Sequence, residues 1–273
     1  MDPRLSPDAV ARYHADGFLA PIDVFTEAEA AALRADLEAL EAAHGPVHYK
    51  AKPHLVMRVA DRLAHAPGVL DAVAAVLGED LLIWDSGFII KEPGTESFVS
   101  WHQDFTYWGL DDEDGVVTAW VALSPADEMT GCMRMIPGSH RAGVAPHAET
   151  EDAANVLSRG QTALADEAAA QACPLRPGQM SLHHGWTLHA SAPNRGADRR
   201  IGLAINFLRS SVRQTALSED FATLARGADR FGHFRPEPRP AADFAPEAVA
   251  LQSAIAAARA SEINRGVEGF GAA

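Results

Sequence analysis

Between about residues 80 and 209 the chain contains short, β-rich apolar runs separated by turn residues. Runs of this length, bounded by pairs such as Pro93-Gly94 and Pro137-Gly138, are typical of antiparallel strands. The series predicts two antiparallel sheets packed face to face, as in a jelly roll. The strand-like runs occupy residues 81–90, 98–104, 116–123, 132–136, 179–184, 187–190 and 201–208.

Helical patterns gather before this region. Ser6 is a suitable cap for a first helix that Gly17 ends, and Thr26 with Glu29 has the capping-box spacing of a second helix. We therefore expect a mainly β protein with helices flanking its sheets. Helices are expected over residues 6–17, 26–45 and 68–78, and a loop or irregular arm over 46–67, which lacks periodic apolar residues.

The remaining segments predict a single domain. Residues 141–172 are acidic, alanine-rich and long for a connection, which indicates a surface excursion or a lid. After Arg209 strand character is lost, and helices are expected over 221–226 and 246–263. Since no repeat or clean linker divides residues 1–273, we predict one domain. Its helical part ends at about residue 79, its jelly-roll core covers about 80–209, and its C-terminal tail covers about 210–273.

The charge of the chain disfavours two kinds of partner. Among 273 residues, 37 are acidic and 23 are basic, which gives a formal charge of −14. Nucleic acids and anionic membranes attract basic surfaces, so neither is an expected partner. Without a leader-like start or a long apolar run, the chain is expected to be cytoplasmic. Cys132 and Cys173 are expected to be buried free thiols, and the oligomeric state stays open.

The segment Trp101-His102-Gln103-Asp104 gives the first indication of function. In an extended strand His102 and Asp104 face the same side, so both can bind one metal ion. Two histidines and one carboxylate suit non-haem Fe(II), because this set leaves positions open for a co-substrate and O₂. Such a site requires a second histidine downstream.

Three histidines within seven residues, His183, His184 and His189, are the candidates. The residues after His189 favour it, because Arg200 comes eleven residues later, where the next antiparallel strand can return beside it. An arginine there can hold a carboxylate through two parallel hydrogen bonds. Gly202 has the parity of Arg200 and leaves room beside the guanidinium.

These residues make the chain similar to the phytanoyl-CoA dioxygenase family of Fe(II)- and 2-oxoglutarate-dependent oxygenases, over roughly residues 8–215. The resemblance implies a cupin-like double-stranded β-helix, in which the metal ligands are His102, Asp104 and His189. It also implies that Arg200, assisted by Ser191, binds the distal carboxylate of 2-oxoglutarate, and that Trp120 helps to wall this site. The motifs that carry the resemblance are His102-Gln103-Asp104, Gly131-Cys132-Met133-Arg134-Met135-Ile136-Pro137-Gly138-Ser139-His140, and His189-Ala190-Ser191-Ala192-Pro193-Asn194 with Arg200.

The resemblance further implies a reaction. Family members use O₂ to convert 2-oxoglutarate to succinate and CO₂, and they oxidise an unactivated C–H bond of a substrate. Related halogenases have alanine or glycine at the position of Asp104, so the carboxylate here favours hydroxylation. Desaturation, epoxidation and cyclisation are alternatives that the same chemistry allows.

The substrate is expected to be a small molecule, held between aromatic and polar residues near the motifs. Asp85 lies where some relatives place a polar co-substrate contact, but two carboxylates repel each other, so we assign Asp85 to the substrate side. Core packing is an equal alternative for Phe88. The predicted substrate-pocket residues are Asp85, Phe88, Phe105, Tyr107, Trp108, His183, Trp186 and Asn206.

Two other functions are compatible with a metal-binding jelly roll. A non-catalytic binding or sensor protein is disfavoured because both Asp104 and Arg200 are present. A cupin-like metalloenzyme that does not use 2-oxoglutarate would be expected to have more histidines and no arginine at this spacing. His140, which closes a Pro-Gly-Ser-His turn, is interpreted as structural.

Overall fold

The described residues form a seven-stranded, a four-stranded and a two-stranded sheet. The computed structural model describes residues 5–48, 50–149, 152, 154–157 and 161–270. The helices are α1 (Pro7–Asp16), α2 (Glu27–His44), α3 (Arg58–Ala64), α4 (Pro67–Leu77) and α5 (Pro246–Phe270). The strands are β1 (Phe18–Asp23), β2 (Leu81–Lys91), β3 (Val99–His102), β4 (Val116–Ala122), β5 (Met133–Met135), β6 (His147–Glu149), β7 (Gln161–Ala163), β8 (Gln171–Cys173), β9 (Gln179–His184), β10 (His189–Ser191), β11 (Arg200–Arg209), β12 (Phe221–Arg226) and β13 (Arg235–Pro236).

The strand order brings distant parts of the sequence together. The large sheet has the order β1-β9-β4-β11-β2-β12-β13, and the small sheet has the order β3-β10-β5-β8. Apart from the parallel pair β12 and β13, neighbouring strands are antiparallel. The predicted jelly-roll core with flanking helices is thereby confirmed.

The two faces of the large sheet bury different partners. On the inner face, Trp120 and Ala122 of β4 pack against Met133 and Met135 of the small sheet. On the outer face, the apolar residues of β2, β4, β9 and β11 pack against the helices in the main hydrophobic core. A strand with both faces covered is apolar throughout, and all seven residues of β4 are buried accordingly.

The first two helices begin and end at the residues that their sequence patterns indicate. The Ser6 hydroxyl accepts a hydrogen bond from the backbone N–H of Ala9, and Thr26 forms a complete capping box with Glu29. Gly17 has a φ of 82°, a left-handed conformation that a residue with a side chain rarely adopts. None of the described helices is long and apolar enough to cross a membrane.

Two predicted segments differ from the structure. The expected loop over 46–67 contains a 3₁₀ turn (Pro53–Leu55) and α3, because its apolar residues pack into the core although the helix is too short to show a period. The expected helix over 221–226 is instead strand β12, which pairs with β2 at the sheet edge. With β1, β12 and β13, the sheet extends beyond the predicted bounds of 80–209. Helix α5 matches the helix expected over 246–263, and both cysteines are buried free thiols as expected.

Candidate metal centre and co-substrate site

The fold brings His102, Asp104 and His189 together. His102 and His189 are direct partners in the pairing of β3 with β10, so their rings lie side by side with centroids 4.0 Å apart. Oδ1 of Asp104 lies 3.4 Å from Nε2 of His102 and 3.7 Å from Nε2 of His189. All three ligand atoms lie within 4.8 Å of one another, and no other group of this kind occurs in the described part of the chain. One cation can therefore contact all three.

Asp104 reaches this position through a turn rather than a strand. Strand β3 ends at His102, and Asp104 is the first residue of a 3₁₀ helix (Asp104–Tyr107). The buried Gln103 side chain fixes the turn, since its amide donates to the backbone oxygens of Gly143 and Trp186. The shared-face argument from strand periodicity was therefore wrong in its reason, although the two side chains do converge.

Both histidines of the triad are oriented in the same way. Nδ1 of His102 lies 2.9 Å from the backbone oxygen of Ser100, and Nδ1 of His189 lies 2.9 Å from that of Thr187. A carbonyl oxygen only accepts hydrogen bonds, so Nδ1 carries a proton and the neutral form of each ring has its lone pair on Nε2. This lone pair on each ring faces Asp104 and is available to a metal ion.

The charge states also fit a divalent cation. Burial, together with the neighbouring His102, holds the pKa of His189 well below its ordinary value, so the ring is neutral. Burial by itself would raise the pKa of Asp104, but His189, His102 and His183 outweigh it and hold this pKa well below its ordinary value. Two neutral imidazoles and one carboxylate are the donor set that non-haem iron takes.

Arg200 lies on the inner face of the large sheet, in the same cavity. Its guanidinium is buried, donates from Nη1 to the backbone oxygen of Gly131 at 2.7 Å, and lies 4.9 Å from the centre of the Trp120 ring. Gly202 makes this stacking possible, because a Cβ at that position would collide with the Trp120 indole. The guanidinium is thus a buried cation held in a fixed position at the cavity, with the planar fork of donors that suits a carboxylate.

Lys91 is a second buried basic residue, which the sequence reasoning missed. It is the register partner of Arg200 on β2 and is 2% exposed. Its Nζ lies 2.7 Å from Oγ of Ser191 and 2.5 Å from the backbone oxygen of Ala192. Burial and the nearby Arg200 lower the pKa of Lys91 to about 6. Its parity with Asp85 along β2 could have indicated that Lys91 faces the same side of the sheet. The sequence analysis instead ended the strand at residue 90, because Pro93-Gly94 follows and indicates a turn.

One cavity of about 210 Å³ connects the metal triad with Arg200. It contains the metal triad, Arg200, Ser191 and Trp120, and of the predicted substrate residues it contains Trp108 and His183. Apolar side chains contribute most of the remaining wall. Further lining residues are Ile89, Val99, Thr118, Met133, Leu157, Ala190 and Ala204.

The prediction that Phe88 walls the cavity was wrong. Phe88 is fully buried in the main core against the helices, because its parity on β2 points it to the outer face, opposite Ile89. Asp85 does not line the cavity either. Its Oδ2 accepts a hydrogen bond from Nη1 of Arg259 at 2.7 Å, so its charge is already paired with helix α5.

Phe105, Trp186 and Asn206 lie behind the cavity wall. Phe105 packs against Trp108 and Trp186, and the Trp186 indole N–H donates to Glu113. Asn206 donates to Thr118, which does line the cavity. The side chain of Tyr107 lies outside the described residues.

His140 lies apart from the triad. Its Nε2 is 3.3 Å from the backbone oxygen of His14, and its ring packs over Gly17, where a Cβ would come within 2.3 Å of Nδ1. This position joins the 3₁₀ turn Ser139–Ala142 to the end of α1. The geometry is that of a structural histidine.

Comparisons with known proteins agree with this geometry. The profile of the family described as phytanoyl-CoA dioxygenase matches residues 13–202. A probable alpha-ketoglutarate-dependent hypophosphite dioxygenase of Stutzerimonas stutzeri is 31% identical over 158 residues, which are 57% of this chain and 54% of that protein. The chain thus spans about half the length of the curated relatives it matches.

Solved structures match over a larger share of the chain. The apo form of the non-heme monooxygenase ThoJ is 37% identical and superposes with a TM-score of 0.84, covering 96% of this chain and 100% of that one. CytC3 with Fe(II) and alpha-ketoglutarate is 25% identical, with a TM-score of 0.64, covering 86% of this chain and 94% of that one.

Proposed function

Because the chain belongs to the phytanoyl-CoA dioxygenase family, we propose that it is an Fe(II)- and 2-oxoglutarate-dependent oxygenase that hydroxylates an unactivated C–H bond of a small molecule. The observation that carries the proposal is the shared cavity, which is lined by both the three-residue metal group and the buried Arg200. 2-Oxoglutarate needs both: its 2-oxo acid end chelates a metal ion, and its distal carboxylate needs a cation at the other end of the cavity.

The residues of the chain have separable roles in this proposal. Iron and 2-oxoglutarate, when bound, supply the chemistry that activates O₂. His102, Asp104 and His189 hold the metal, and Arg200 binds the distal carboxylate with Ser191 beside it. The apolar cavity wall excludes water, which strengthens these charged contacts.

Asp104 favours hydroxylation over halogenation. An anion such as chloride needs a coordination position that a short apolar side chain would leave open, and the carboxylate of Asp104 occupies that position. Desaturation, epoxidation and cyclisation differ in how the substrate is placed rather than in the metal ligands. Product analysis with an accepted substrate therefore decides among these outcomes.

Co-substrate chelation is the first test. Anaerobic protein with Fe(II) is expected to develop a weak visible metal-to-ligand charge-transfer band when 2-oxoglutarate is added. The band requires the 2-oxo acid to bind the metal through two oxygens, so glutarate, which lacks the 2-oxo group, is the matched control. Metal-loaded protein without this band would contradict the proposal and would favour a non-catalytic metal-binding protein.

Lys91 leads to a prediction about protons. Its amine is mostly neutral at pH 7.5, because its pKa is about 6, and a carboxylate bound beside it would raise that pKa. Binding of 2-oxoglutarate is therefore expected to take up close to one proton, and affinity should fall as pH rises above about 6. Calorimetry of the anaerobic Fe(II) protein in buffers of different ionisation enthalpy measures this uptake.

The matched variant for this experiment is Lys91→Arg, which stays charged at every pH of the titration and should bind without proton uptake. Equal proton uptake by this variant and by the wild-type protein would exclude Lys91 as the group that titrates.

A further inference from the structure

The two carboxylate oxygens of Asp104 have different surroundings. Oδ1 faces Nε2 of both triad histidines. Oδ2 instead lies 3.1 Å from the hydroxyl of Thr118 and 3.3 Å from Nε2 of His183. The strands of the large sheet thus provide two contacts to the one oxygen that does not face the metal position.

These contacts come from one row of side chains across three neighbouring strands. Thr118 of β4 is the register partner of His183 on β9 and of Asn206 on β11. Thr118 and His183 are 3% and 2% exposed. Adjacent positions in a sheet hold their side chains at a fixed spacing, so this row presents a preformed set of polar groups to Asp104.

The direction of the hydrogen bonds in this row follows from the chemistry of the groups. The Asn206 amide N–H donates to Oγ1 of Thr118 at 2.9 Å, and an ionised carboxylate can only accept. With its oxygen engaged by Asn206, the Thr118 hydroxyl directs its proton to Oδ2 of Asp104. Asn206 therefore sets the orientation of Thr118.

His183 differs from the two triad histidines in the same respect. Among the described residues its buried Nδ1 has no hydrogen-bond partner, whereas Nδ1 of His102 and of His189 each lie against a backbone carbonyl. Donation to Asp104 requires the proton on Nε2, which removes the lone pair that a metal would need there. The geometry is that of a donor to Asp104 and not of a fourth ligand.

We infer that Thr118 and His183 are positioning residues that hold Oδ2 of Asp104, so that the carboxylate presents Oδ1 alone to the metal, with Asn206 orienting Thr118. This inference rests on the proposed function only in assigning the metal as iron. A carboxylate held in this way occupies one coordination position rather than two, which leaves room for a chelating co-substrate. Hydrogen bonds to the remote side of a ligand raise metal affinity by about 10- to 100-fold in other metal sites.

Thr118→Val keeps the shape of the side chain and removes the hydroxyl. We expect Co(II), added alone as the probe, to bind about tenfold more weakly. Its visible ligand-field spectrum should also change, because the released carboxylate can swing to bind through both oxygens. Titration of the metal-free protein with Co(II) measures both effects, and Thr118→Ser should restore them.

Thr223→Val is the matched control. Thr223 is 3% exposed in the same sheet, and its hydroxyl donates to Oε2 of Glu237 at 3.0 Å, far from the triad in the sheet order. Both valine variants lose one buried hydroxyl-to-carboxylate bond, so their thermal stabilities should fall comparably. Only Thr118→Val should change the Co(II) affinity and spectrum, and an equal change in both variants would overturn the assignment.

Two further variants test the rest of the row. His183→Leu should weaken Co(II) binding by about tenfold, and a loss as large as that of His189→Ala would instead make His183 a ligand. Asn206→Leu should have a smaller effect than Thr118→Val and should add nothing to it in the double variant, because Asn206 acts through Thr118. Additive losses would contradict that order.

The Co(II) titrations test the positioning role, and the charge-transfer band of 2-oxoglutarate tests the oxygenase proposal, so the two can be contradicted independently. If the Co(II) effects are as expected but the band is absent, the positioning row stands and the oxygenase proposal falls. If the band appears in the wild-type protein but Thr118→Val binds Co(II) with unchanged affinity and spectrum, the oxygenase proposal stands and the positioning role is wrong.

Discussion

Arg200→Ala is expected to weaken 2-oxoglutarate binding by at least about 30-fold, while the affinity for the metal alone stays essentially unchanged. The guanidinium is buried, and loss of one partner from a buried charged pair costs about 2 kcal/mol or more. Anaerobic titration of the charge-transfer band measures co-substrate affinity, and Co(II) titration measures metal affinity. Lys91 supplies a partial replacement, since removal of the nearby guanidinium should raise the Lys91 pKa and increase its charge.

The neighbouring arginine is the control for this result. Arg199 precedes Arg200 in the chain but pairs with Glu41 and Glu92 at the surface. Arg199→Ala should therefore leave both affinities unchanged, and its cost should appear only in thermal stability. Equal loss of metal and co-substrate in Arg200→Ala would mean that the residue supports the fold of the site rather than the carboxylate.

Asp104→Ala is expected to abolish hydroxylation and to weaken metal binding by more than about 100-fold, because it removes a ligand rather than a group that supports one. It removes the one carboxylate, and so the one negatively charged group, of the triad. The measurements are Co(II) affinity and the charge-transfer band, followed by product analysis with and without chloride. Retention of full hydroxylation would overturn the assignment of the metal site.

His140→Ala is the matched control for loss of a histidine near the site. Its ring contacts the end of α1 and not the triad, so metal affinity should be retained and thermal stability should fall. His189→Ala should instead lose metal affinity, with a smaller change in thermal stability. If His140→Ala loses the metal instead, the wrong histidine has been assigned to the triad.

The motifs in the sequence led to residues that the fold does bring together. The order of the motifs and the family resemblance were enough to group His102, Asp104, His189 and Arg200. The expectation that the strand of Arg200 returns beside that of His189 was wrong, because β10 belongs to the small sheet and β11 to the large sheet, and the two residues meet across the cavity. The caps of α1 and α2 were equally readable, since they depend on contacts within four residues. Local rules predicted these features well.

The same rules failed where burial came from distant partners. Helix α3 is only seven residues long and is held by the core rather than by its own pattern. Residues 221–226 form strand β12 because they pair with β2. The sequence of this segment does not indicate that pairing partner. Phe88 was expected at the cavity, but it lies in the main core. Both faces of β2 are covered, so its sequence does not show which face points to the cavity and which to the helices.

The sequence by itself determined the family of the protein, the residue types of the proposed metal site and the carboxylate on which the proposed hydroxylation depends. Only the tertiary structure decided which groups act on those ligands. Lys91 meets Arg200, and Thr118 meets both His183 and Asn206, through strand register. Register is set by hydrogen bonding and packing between strands far apart in the chain, so no local pattern could have shown that the sheet holds the second oxygen of Asp104.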